Sequence, residues 1–103
     1  MIARIWHGFT PASKADAYNR VVETTGIHDL RRTDGNRGAW TLRRIEGDRA
    51  HFIVLSMWDG MDAIRRFAGP EPEKAFYYPE DDDFLIDRAL NVEHYEVVAA
   101  EQG

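Results

Sequence analysis

The sequence predicts an α+β protein, a ferredoxin-like β-α-β-β-α-β pattern with helices on one face of an antiparallel sheet. Three observations predict it. Extended, apolar-rich runs fall at residues 2–8, 39–45, 50–58 and 92–98. Apolar stripes of helical period separate the first run from the second and the third from the fourth. The middle two runs are joined by "EGDR", a hairpin-length loop.

The first strand is "IARIWHG". "TPAS" then reads as a helix start, with Thr10 as N-cap and Pro11 at the first helical position. Ala15, Tyr18 and Val22 follow on one face, and Gly26 is the expected stop. "IHDLRRTDGNRG" reads as loop, with Asp34–Gly35 as its turn. "AWTLRRI" and "AHFIVLSMW" are the hairpin strands. Asp59 is then placed to N-cap a second helix, with Asp62 in its first turn and Met61, Ile64, Phe67 and Ala68 as its buried stripe. Gly69 and Pro70 end it. "PEKAFYY" suggests another turn or two of helix, "EDDDFLIDRALN" an acidic, partly helical stretch, and "VEHYEVV" the last strand. "AAEQG" reads as a loose tail.

At 103 residues this is one expected domain, 1–103. The chain lacks cysteine, so disulfides, thiolate nucleophiles and Cys-ligated metals are excluded. A net charge of −5 without a basic stripe argues against nucleic acid. No run approaches the ~18 apolar residues of a membrane span, and the opening residues do not read as a signal peptide, so the cytoplasm is expected. A phosphate loop and a dinucleotide fingerprint are both missing, and no cofactor is expected. "EDDD" (80–83) lacks calcium-loop spacing, so no metal is expected.

The third strand is apolar on both faces: Phe52, Val54 and Trp58 alternate with Ile53, Leu55 and Met57. Helices on one side leave the other needing cover, and a second copy of the chain is the simplest cover. With strand order 4-1-3-2 and strands 1 and 3 taken as parallel, His7, Trp58, Trp40 and His94 should gather at one end of the sheet. His7 is the first candidate for acid–base work and His94 the second. His28 and His51 read as surface. Trp58 either packs the strand–helix junction or walls a site. Tyr77 and Tyr78 lie where a pocket lid would be. Arg43 and Arg44 point to opposite faces, so one of them is placed to stabilise an anion.

Taken together, the element order and "LSMWDGMDAIRRFAG" (55–69) resemble the antibiotic biosynthesis monooxygenase domain, whose third strand commonly ends in a Trp after a Ser. "MIARIWHGFTPASKADAYNRVVETTGI" and "EKAFYYPEDDDFLID...VEHYEV" are similar to a bacterial subgroup of small stand-alone members. The resemblance implies a dimeric α+β barrel with a pocket between sheet and helices. It implies cofactor-independent oxidation of a small aromatic, polyphenolic or quinol metabolite. His7 would be the base, Arg43 or Arg44 the anion partner, and Trp58, Tyr77 and Tyr78 walls, with Trp40 and His94 nearby. Its alternative is a non-catalytic ligand-binding or interaction dimer. Haem-degrading members use an Asn late in strand 1 and an iron-ligating His after the second helix. Here His7 is read at the strand 1 position and the post-helix segment "PEPEKAFYYPEDD" has no His, which disfavours haem.

Overall fold

A computed structural model describes residues 1–101. Strand β1 (Ile2–Pro11) leads through a short 3-10 turn into α1 (Ala15–Thr24) and α2 (Gly26–Arg32). The hairpin β2 (Asn36–Glu46) and β3 (Arg49–Trp58) follows, then α3 (Met61–Ala68), an irregular segment, and two short strands, β4 (Asp87–Arg88) and β5 (Glu93–Glu96). The sheet runs β2-β3-β1, with β4 and β5 both pairing along the far side of β1. Every pairing is antiparallel.

That pairing corrects one expectation with a large consequence. β1 and β3 run antiparallel, Ile2 opposite Trp58 and His7 opposite Ile53. In the split β-α-β unit, the parallel partner of the first strand is the second; the third returns by a hairpin and must oppose both. The ends of β1 and β3 therefore lie at opposite ends of the sheet, and His7 and Trp58 do not meet.

Other departures are local. Thr10 caps no helix: β1 continues through Pro11, and the Thr10 hydroxyl donates to the Pro11 carbonyl at 3.0 Å. Gly26 begins α2 instead of ending α1, so much of the expected loop is helical, held by the Thr25 carbonyl accepting from Asp29 N–H at 3.0 Å. Gly60 precedes α3, because the Asp59 carboxylate pairs with Arg37 across the junction instead of turning back onto the helix. No helix forms over "PEKAFYY"; its backbone bridges to 90–92 instead, through Ala75 N–H to Leu90 O and Val92 N–H to Glu73 O. Pro79–Asp83 is a 3-10 turn, and residues 99–101 of the loose tail carry no regular structure, its last two residues lying outside the described ones.

Strand parity divides the sheet. The even-numbered residues of β1 and β3 face the helices: Ala50, Phe52 and Trp58 are fully buried there. Phe52 packs with Tyr18, Val22 and Leu85, while Trp58 packs with Leu30, Ala63 and Ile64. The opposite face carries Ile5, Phe9, Trp40, Leu42, Ile53, Leu55 and Met57, none of them buried; Trp40 is 49% and Leu42 46% exposed. The apolar second side of β3 is therefore real, and this chain's own helices do not cover it.

Candidate functional site: a cleft between sheet and helices

A cavity of about 60 Å³ lies between the helix face of the sheet and the covering helices. It is several times what one water needs. Val22, Leu30 and Val54 form apolar walls, and Phe67, Phe76 and Tyr78 ring the mouth. These three aromatics pack in series, Phe67 tilted against Phe76 at 5.7 Å and Phe76 T-shaped against Tyr78 at 5.1 Å between ring centres.

Register builds the floor. Arg4 stands opposite Ser56 on one side and His94 on the other, so one row across β3, β1 and β5 is polar. Trp6 lies one step further along the same face, its indole folded back over Gly8. A Cβ at Gly8 would stand 2.3 Å from that ring, so only glycine leaves room. The indole N–H donates to the Tyr77 hydroxyl at 3.0 Å, fixing the ring. At the far wall the Tyr18 hydroxyl donates to Asp81 Oδ1 at 2.9 Å, and Asp81 Oδ2 accepts from the Tyr78 backbone N–H at 2.8 Å. The Tyr78 hydroxyl donates to the Asp29 carboxylate of α2. Burial and these carboxylates push both phenols well above their ordinary value, so each stays a neutral donor.

Arg4 is the unusual member. It is 5% exposed, and Nη1 donates to the Pro72 carbonyl at 2.8 Å and faces His94 Nε2 at 3.3 Å. Burial lowers its pKa to about 10, still charged at neutral pH, and no carboxylate among the described residues pairs with it. His94 is held below its ordinary value by burial and then by the Arg4 charge, with Glu73 opposing. Neutral His94 can accept from Arg4, which suits the contact.

Of the residues the sequence singled out, only Tyr78 lines the cleft, and His94 borders its floor through Arg4. His7 is on the other face of the sheet. Its Nδ1 is 2.9 Å from His51 Nε2 and its Nε2 3.4 Å from Glu93, while His51 stacks on Phe9. The expectation that His7 faces the pocket is thus corrected, and His51 is paired and only 16% exposed instead of a surface residue. Trp58 is core: it is fully buried and its indole N–H donates to Ser56 Oγ at 2.9 Å. A strand–helix junction needs that bulk, and packing is its role. Trp40 lies on the uncovered face. Tyr77 sits behind Trp6, its hydroxyl donating to the Ala89 carbonyl. Arg43 pairs with Asp16 at 2.7 Å and Arg44 with Glu46 at 2.8 Å, both at the exposed β2 edge, so neither reaches the cleft. Sequence reading assigns no site role to Arg4, Trp6, Tyr18, Ser56 or Asp81: it places Tyr18 in the helix core and Asp81 in an acidic turn without metal spacing. One signal was present: Arg4 shares strand parity with Ile2 and Trp6, which puts a charge on the face a helix covers.

The geometry defines an α+β protein with one cleft under its helices and one bare sheet face. No family model and no curated protein matches the sequence. Solved structures do match. A variant of MhuD with two manganese protoporphyrin IX molecules bound per active site aligns over 100% of both chains at 18% identity, with a TM-score of 0.71. The haem degrader MhuD of Mycobacterium tuberculosis, with two haems in its active site, aligns over 99% of this chain and 100% of its own at 17% identity and a TM-score of 0.67. A candidate antibiotic biosynthesis monooxygenase from Deinococcus radiodurans aligns over 99% and 97% at 14% identity and a TM-score of 0.63. What they share with this chain is the fold: it is the α+β fold of the antibiotic biosynthesis monooxygenase domain. The cleft residues do not suit haem, because no imidazole lines the cavity and both phenols there are committed to carboxylates.

Proposed function

We propose that the chain is a cofactor-independent, monooxygenase-like protein whose cleft takes a small aromatic hydroxy compound. The observation that carries this reading is the cleft itself: apolar walls, an aromatic mouth suited to a flat ligand, and a buried, uncompensated cation on its floor. An electron-rich aromatic bound there as its anion would be stabilised by Arg4 and could react with dioxygen directly. For an anthrone, the ring CH2 becomes a carbonyl: one oxygen atom enters the product and the other leaves as water, with all four electrons from the substrate. Of the imidazoles, His94 is the one beside the floor, where its Nε2 accepts from Arg4 and holds the guanidinium in place. In this reading the protein is a cytoplasmic homodimer, a second copy covering Trp40, Leu42 and their neighbours.

Purified protein mixed with anthrones or naphthols should consume oxygen, and His94→Gln should slow consumption while leaving the fold intact by circular dichroism. The absence of His7 from the cleft favours one second reading, a dimer that binds such compounds without turning them over. Saturable binding with no oxygen uptake from any of them would select it.

A further inference from the structure

The geometry points to a ligand that carries a carboxylate, gripped by the free edge of the Arg4 guanidinium. This rests on the reading that the cleft is the ligand site, and names what that site would recognise. A guanidinium offers donors along fixed edges. Arg4 uses only Nη1 on the protein, toward Pro72 and His94. Nε and Nη2 make no hydrogen bond among the described residues. Nor do they count among the buried polar atoms without partners, which belong to Asn36, Thr41 and Arg49. Neither nitrogen is sealed from solvent, and Arg4 lines the cleft.

The edge formed by Nε and Nη2 presents two parallel N–H donors, the geometry that a carboxylate accepts with both oxygens. A neutral phenol or amide can satisfy at most part of it. Ser56 adds to the same row: its oxygen accepts from Trp58, leaving its own O–H to donate. A purely structural arginine, tying Pro72 to the sheet, would need only Nη1. Burying a whole guanidinium among Phe67 and Val54 without a counter-charge is costly unless an anion arrives to complete it. The cavity is small, about 60 Å³, so the carboxylate enters it while a flat aromatic ring, such as that of a hydroxynaphthoate, stacks at the mouth formed by Phe67, Phe76 and Tyr78.

The test compares 1-hydroxy-2-naphthoate with its amide by calorimetry, and follows the three indole N–H signals by NMR. The tryptophans report separately, since Trp6 lines the cleft, Trp58 is core and Trp40 lies on the far face. The acid should bind about tenfold to a hundredfold more tightly than the amide, as a charge-assisted bidentate pair allows. It should shift Trp6 and leave Trp40 unmoved. Arg4→Met should remove the preference for the acid, and Arg4→Lys should keep only part of it. Equal binding of acid and amide, each shifting Trp6, would overturn the carboxylate and leave the cleft as the ligand site. Binding of neither, or a shift at Trp40 alone, would overturn both. If Arg4→Met does not fold, the acid–amide ratio on the unaltered protein still decides.

Discussion

Two histidines carry environments that change with pH. His51 is pushed below its ordinary value of 6.5 by burial first, then by the neighbouring His7, with Arg44 and Arg49 adding to the effect and Glu46 opposing it. His94 is pushed the same way by burial and then by Arg4, with Glu73 opposing. The sign follows from linkage. Below about pH 6.5 the unfolded chain takes up protons that these folded rings refuse, so stability falls as pH drops toward their lowered folded values. Above about pH 6.5 neither group contributes. The urea midpoint should therefore decline from about pH 7.5 to about pH 5.5, and the double variant His51→Gln, His94→Gln should flatten that decline. A midpoint that rises over the same interval would contradict the depressed values.

At the scale of elements, β1 decides what the site can be. Its even residues form the cleft floor and its odd residues the bare face, so ten consecutive positions serve two unlike surfaces. Gly8 is the pivot, because it lets the Trp6 ring lie flat along its own strand between Tyr77 and Leu85. Gly8→Ala would drive a methyl group into that ring and, at 3.1 Å, toward Leu85. The indole cannot retreat without losing its bond to Tyr77, so the substitution should cost about 1–3 kcal/mol by urea denaturation and displace the Trp6 indole N–H signal. An unchanged midpoint would mean that the ring moves freely. On β2, Gly38 plays the same part for Trp40, whose ring would meet an added Cβ at 2.7 Å.

The whole molecule is a slab of 36 × 34 × 21 Å, one layer of sheet and one of helices. On its bare face Trp40 and Leu42 of β2 stand beside Leu55 and Ile53 of β3, a contiguous apolar surface of the kind an interface covers. The apolar residues there are those that a dimer would bury, and His7, His51 and Glu93 lie among them. Leu42→Asp places a charge on that surface, halfway along the edge strand β2, while touching nothing in the helix-side core. In sedimentation the unaltered protein should be a dimer at micromolar concentration and Leu42→Asp a monomer with unchanged circular dichroism. A monomeric unaltered protein would leave the face to some other cover.

Read along the chain alone, the β-α-β-β-α-β frame, the buried stripes of α1 and α3 and the two apolar sides of β3 were legible, while α2 and β4 were not. The legible features are properties of local periodicity, and period 2 in "AHFIVLSMW" or the stripe of Met61, Ile64 and Phe67 needs no distant partner to be read. Which side chains meet was settled by how the strands pair. The antiparallel pairing of β1 with β3 separated His7 from Trp58, and the register set Arg4 between Ser56 and His94. Strand direction and register depend on contacts between residues tens of positions apart, and a one-residue shift exchanges the faces of a strand. The candidate site is made of such contacts, which is why it was the part of this protein least visible along the chain.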